Sequence, residues 1–170
     1  MILPVTKKLD VPLMVARGYA SETFLHAAGE YMEAIEKPCF VYHFGDFDPS
    51  GQDAARAVEM GLRQHAPGAE IHFERVAVTQ RQIDEWNLPT RPTKQSDSRA
   101  KRFGPVSVEL DAIDPNKLRE LVDEVIVLHL PPDQYRVLME AEKSERKLFQ
   151  GLAGLVRQLA GKASDVGGAP

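Results

Sequence analysis

Three short apolar runs, each followed by a stretch of helical period, constrain the fold of this chain more than any other feature. Val11-Pro12-Leu13-Met14-Val15-Ala16 reads as a buried strand with its exit turn at Arg17-Gly18. Ser21 is placed to cap a helix whose apolar positions Phe24, Leu25, Ala28, Met32 and Ile35 recur at helical spacing, and Lys37-Pro38 stops it. The run Cys39–Phe44 is nearly continuous in apolar character, as expected where both faces of a parallel sheet are covered. Residues 52–64 return to helical period and end at Ala66-Pro67-Gly68. Residues 70–78 alternate like a strand, and Thr79 with Gln82 forms a capping box for a short helix through Trp86. Strand then helix, three times over, predicts an α/β fold: a Rossmann-like parallel sheet with helices on both faces.

Past Leu88 the pattern changes. Pro89, Pro92, Ser96, Ser98 and Gly104 punctuate a segment without apolar periodicity, which predicts a surface loop. Residues 106–113 alternate again like a strand, and Asp114-Pro115 is an N-cap followed by proline at the first helical position. That helix is expected to run to about residue 130, where Pro131-Pro132 stops it, and a second, strongly charged helix to run to about residue 160. The expected layout is therefore one α/β domain over residues 1–130, a helical extension over 131–162 and a disordered tail over 163–170. A chain of 170 residues, 43% hydrophobic and 27% charged, is long enough to bury a core of this kind. It lacks an apolar run of about 20 residues and the ordered features of a signal peptide, so a cytoplasmic location without membrane contact is expected. Cys39 is the only cysteine, which excludes an intramolecular disulfide and a cysteine metal cluster and reads as a small core residue.

Chemistry concentrates in Gly45-Asp46-Phe47-Asp48-Pro49-Ser50-Gly51. Asp46 and Asp48 lie two apart at the carboxyl end of an apolar strand, where functional groups gather in open parallel sheets. With Phe47 packed away, the turn can bring both carboxylates to one side, and Gly51 lets the chain enter the next helix closely. Two carboxylates so placed repel unless a cation neutralises them. Mg²⁺ suits the pair, because it takes oxygen ligands and is often held by one or two carboxylates plus substrate phosphates. Three other readings compete. The turn copies the first half of an EF-hand loop, but the twelfth position, which needs Glu, is Ala57, and the eighth is Asp53. It also approaches the DxDx(T/V) turn of haloacid-dehalogenase-type phosphatases, although that motif belongs on a first strand and requires a later Lys and acidic pair that are not evident here. In the third reading the aspartates only cap the helix that begins near Ser50. Asp48 can cap and bind a cation at once.

Taken with two further segments, the turn resembles the Toprim domain, in the variant found in the A subunit of topoisomerase VI and its meiotic DNA-breaking relatives. Val15-Ala16-Arg17-Gly18-Tyr19-Ala20-Ser21 resembles that family's strand and Gly-Tyr-Pro-Asp type turn. Residues 45–51 resemble its DxDxxG metal turn, and Val108-Glu109-Leu110-Asp111-Ala112-Ile113 resembles its late Glu-containing segment. Similar stretches occur in bacterial and phage proteins of uncharacterised role. The likeness spans roughly residues 10–130, and the ordered set is more specific than the DxDxxG piece alone. It implies that Asp46 and Asp48 are Mg²⁺ ligands in a catalytic site acting on DNA phosphodiesters, that Gly45 and Gly51 shape their turn, and that Glu109 is an additional catalytic acid. Glu109 reads equally as a solvated strand residue.

Two departures bear on what the resemblance implies. The family's first metal-site residue is a Glu on a strand ahead of the Gly-Tyr segment, whereas Asp10 is the only acid before Arg17 here. The expectation is that this piece is supplied from upstream or by a partner polypeptide, or that the chain works as a homodimer. The family's cleaving tyrosine lies in a separate winged-helix domain for which this chain has no room. Tyr19, Tyr31, Tyr42 and Tyr135 read as core or surface residues.

The net charge of −4 argues against coating nucleic acid by bulk charge but leaves room for a local basic contact. Arg91, Lys94, Arg99, Lys101 and Arg102 crowd into the proline-punctuated loop with only Asp97 among them, a set that could follow a phosphate backbone or simply be solvated. Ser96 and Ser98 could add phosphate hydrogen bonds. His43, just before the acidic turn, reads as a packed core histidine or a residue supporting the metal ligands. In the last helix an apolar stripe strengthens after Leu148, through Leu152, Leu155 and Leu159, and suits either closing the domain or pairing with a partner helix. Two functional readings result: a Mg²⁺-dependent component acting on DNA, and a non-catalytic Toprim-like binding module.

Overall fold

The chain forms a mixed α/β structure of helices and a small two-stranded parallel sheet. The computed structural model describes residues 1–16, 18–94 and 100–166, and their side chains except at 101, 102, 134 and 155–166. Two compact units are present, Met1–Asp123 and Glu124–Pro170.

The first unit opens with a short helix α1 (Leu3–Lys8), followed by α2 (Glu22–Ile35), β1 (Cys39–Phe44), α3 (Pro49–His65), β2 (Ile71–Ala77) and α4 (Gln80–Trp86). The helix starts follow local chemistry. Ser21 is extended and accepts a 3.3 Å hydrogen bond from the Phe24 amide at the start of α2. Thr79 and Gln82 close a reciprocal capping box on α4, as the spacing predicted. The Gln82 amide is buried and also donates to the Val76 carbonyl at 2.9 Å, so one side chain ties the start of α4 to the end of β2.

β1 and β2 pair in parallel, with Cys39 opposite Ile71 and His43 opposite Arg75. An extra residue then enters β2, so Phe44 faces Ala77. Leu25, Ala28 and Met32 of α2 pack with Leu62 of α3, Ala66 and Ile71 as one buried cluster, with Val41 and Cys39 at its margin. Burial pushes the Cys39 thiol pKa up, consistent with a packing residue. A second cluster joins Ala77, Val78, Ile83, Val108, Ile113 and Leu118, with Phe44 and Phe47 against it. It lies just past the carboxyl end of the sheet and anchors the acidic turn.

Several expectations are corrected. Residues 11–16 form no strand: they have no ladder partner among the described residues, Pro12 offers no amide, and Met14 and Val15 are exposed. An apolar run becomes a strand only where an edge receives its backbone groups. The parallel sheet therefore has two described strands where three strand–helix repeats were expected. Residues 106–113 divide between β4 (Val106–Ser107), a single bridge at Val108 and a 3₁₀ turn η1 (Leu110–Ala112). β4 pairs antiparallel with β3 (Arg91–Pro92), inside the segment expected to be all loop, which also holds a short helix α5 (Ala100–Phe103). Tertiary pairing decided these short pieces, which carry too few residues to show a period.

α6 (Pro115–Val127) begins where Asp114 caps the Asn116 and Lys117 amides at 2.8 and 3.3 Å, and runs across the boundary between the two units. In the second unit α7 (Pro132–Val166) is one 35-residue helix, longer than expected, and residues 163–166 of the anticipated tail belong to it. Leu148 and Leu152 of its apolar stripe are exposed; the side chains of Leu155 and Leu159 lie outside those described, as do residues 167–170. Among the described residues no helix is long and apolar enough to cross a membrane.

Candidate functional site

The acidic turn is held on two sides by backbone pairing. Gly45 extends the sheet, donating to the Ala77 carbonyl at 2.8 Å and accepting from the Val78 amide at 2.7 Å. Two residues on, Phe47 exchanges both backbone bonds with Val108, at 2.7 and 2.9 Å. The Phe47 ring packs on the second cluster and against Phe103, with ring centroids 5.0 Å apart. The residue between the two aspartates is thus the packed one, as expected.

Each carboxylate is tied to a different neighbour. Asp46 Oδ1 accepts from the Leu110 amide at 2.8 Å, fastening the turn to η1. Asp48 is extended, precedes Pro49 at the first position of α3, and accepts from the Gly51 amide at 2.6 Å through Oδ1. Asp48 therefore caps α3, where the helix dipole favours its charge. For the second oxygen of each carboxylate no hydrogen-bond donor occurs among the described residues. Gly51 is needed for closeness: a Cβ there would lie 2.4 Å from the Asp46 carbonyl oxygen. At Gly45 a Cβ would come within 2.7 Å of His43 Cε1, a side-chain contact that a ring can relieve.

A basic residue from β2 reaches the same turn. Arg75, opposite His43 in the ladder, donates through Nη2 to the Gly45 carbonyl at 3.1 Å and to the Asp46 carbonyl. Burial lowers the pKa of its guanidinium, while Asp46 and then Asp48 push it back up. Its Nε is buried without a partner among the described residues, as is His43 Nδ1. His43 is held below its ordinary pKa by burial and then by Arg75. Arg75 lies outside the acidic motif, and its only sequence signal is its place in β2. In β2 the alternate positions Ile71, Phe73 and Arg75 are buried or half-buried, so a charge interrupts a face that is otherwise apolar.

Glu109 does not join the aspartates. Its carboxylate pairs with Arg91, while the backbone of the next residue, Leu110, meets Asp46. Among the described residues no three acidic, histidine or cysteine side chains converge as a metal cluster. Of the basic loop, Arg91 is thus engaged in an ion pair and Lys94 is exposed. Arg99, with Ser96, Asp97 and Ser98, lies outside the described residues, as does Arg17, and so do the side chains of Lys101 and Arg102. Tyr19 is half exposed and its hydroxyl donates to Asp53, which also pairs with Arg56 at 2.6 Å.

The donor set fits a hard divalent cation of the Mg²⁺ type. Two carboxylates lie at one helix entrance, each with an oxygen uncommitted among the described residues, and such an ion completes its shell with water and phosphate oxygens. Compared with family models, with curated proteins and with solved structures, the chain matches none of them.

Proposed function

We propose that the chain is a Toprim-like domain with a Rossmann-like arrangement, in which Asp46 and Asp48 hold Mg²⁺ at a DNA phosphodiester. The observation that supports this is the turn itself. Two aspartates stand at the carboxyl end of β1 and the entrance of α3, backed by a packed Phe47, each retaining one carboxylate oxygen without a described partner. A bound divalent ion supplies charge neutralisation for a phosphate under attack. Asp46 and Asp48 orient that charge, Gly51 allows α3 to start against the Asp46 carbonyl, and Lys94 with the neighbouring basic residues of its loop meets the phosphate backbone. Glu109 is the additional acid of the proposal, and it reaches the site only if its pairing with Arg91 is exchanged for a phosphate contact by Arg91.

The Glu109–Arg91 pair favours a second reading, a non-catalytic Toprim-like module that binds nucleic acid through the same surface. A supercoiled-plasmid assay in Mg²⁺, run beside DNA binding, separates the two. Mg²⁺-dependent nicking that Asp46→Ala abolishes supports the catalytic reading. DNA binding without nicking, weakened by Asp46→Ala, supports the module. Equal behaviour of wild type and Asp46→Ala in both assays removes Asp46 from either function.

A further inference from the structure

We infer that Arg75 is the resident counter-charge of the acidic turn and competes with an incoming cation for the negative charge of Asp46 and Asp48. Arg75 acts on the two carboxylates proposed above as metal ligands, and its competition with a cation rests on that reading.

The geometry carries this in three ways. Arg75 comes from β2, the strand directly beside the one that ends in the turn, and its register opposite His43 places it next to Gly45. Its Nη2 donates to the carbonyls of Gly45 and Asp46, so it grips the backbone that sets the position of both carboxylates. Finally, the Asp46 carbonyl it grips is the group against which Gly51 packs, with no room for even a methyl. A half-buried guanidinium whose bonds, among the described residues, go only to carbonyls is costly without negative charge nearby. Asp46 and then Asp48 supply that negative charge. The site is thus partly neutralised without metal, with one positive charge against two negative ones, and a cation entering it adds positive charge beside one already fixed in place. Removing the Arg75 charge should therefore tighten cation binding while weakening the cation-free fold.

Two measurements on the full chain decide the matter. In a Mg²⁺ titration followed by amide chemical shifts, Arg75→Gln should bind more tightly than wild type, by up to about tenfold. Arg75→Lys, which keeps the charge, should stay near wild type. Unchanged or weaker binding by Arg75→Gln overturns the proposal. In EDTA, a melting-temperature cycle of Arg75→Gln with Asp48→Asn tests the charge coupling without metal, since Asn keeps the cap. The double variant should lose less than the sum of the single losses; additive losses overturn the counter-charge. If wild type shows no Mg²⁺ response, the metal reading fails while this cycle still decides the role of Arg75. If Arg75→Gln does not fold, the comparison passes to Arg75→Lys. A stable Arg75→Lys supports the charge role, and its equal collapse assigns Arg75 to hydrogen bonding alone.

Discussion

Phe47 and Val108 exchange both of their backbone hydrogen bonds, at 2.7 and 2.9 Å, across 61 positions of sequence. This bridge pins the middle of the acidic turn to the segment that follows β4, and it brings the Leu110 amide onto Asp46. The placement of the two carboxylates therefore depends on long-range pairing as well as on the local motif.

Asp48 contributes to stability through its cap on α3. Asp48→Ala should destabilise the fold by about 0.5–2 kcal/mol, and Asp48→Asn by much less, because Asn still accepts from the Gly51 amide. Denaturant titrations of both variants check this; equal losses would show that charge, rather than capping, is what matters at this position.

Gly51→Ala should cost about 1–3 kcal/mol, since the added methyl meets a backbone carbonyl that cannot rotate away. For Gly45→Ala the nearest atoms belong to the His43 ring, and the substitution should cost less. Reversal of that order in thermal melts would contradict the described path of the turn.

Gln82 is buried and serves both the Thr79 amide and the Val76 carbonyl. Gln82→Ala should destabilise by about 1–3 kcal/mol, by leaving buried groups unpaired. Denaturant melts measure the loss, and one under half a kilocalorie, about the noise of a surface substitution, would refute the bridging role.

His43 links stability to pH. Its folded pKa lies below the ordinary 6.5, chiefly through burial and then through Arg75. Between those values the unfolded chain binds more protons than the fold, so stability rises with pH in that window. The contribution is fully present above about 6.5 and is lost as pH falls through the folded value. His43→Phe should flatten the decline in melting temperature between neutral and mildly acidic pH. Parallel profiles for wild type and variant would remove His43 from the linkage.

Much of the local structure was legible in the residues. The strands Cys39–Phe44 and Ile71–Ala77 and the caps at Ser21, Thr79, Gln82 and Asp114 depend on neighbours in sequence, and each is formed. Residues 11–16 misled because apolar character says what a segment can bury, not which edge will receive it. The two-residue strands β3 and β4 are too short to carry a period. In the candidate site the aspartates were visible because motif and strand end coincide. Arg75 was not, because it acts from the neighbouring strand and only the parallel register brings it to the turn. The Glu109–Arg91 pair was hidden for the same reason, joining residues 18 positions apart through β3 and β4.

The proposed hold of Asp46 and Asp48 on a divalent cation is decided by a Mg²⁺ titration of the wild-type chain followed by amide chemical shifts. Saturable shifts are expected at Gly45, Asp46, Phe47, Asp48 and Leu110, lost in Asp46→Asn and reduced in Asp48→Asn. Amides of the turn that do not move at millimolar Mg²⁺, or that move equally in Asp46→Asn, would contradict it.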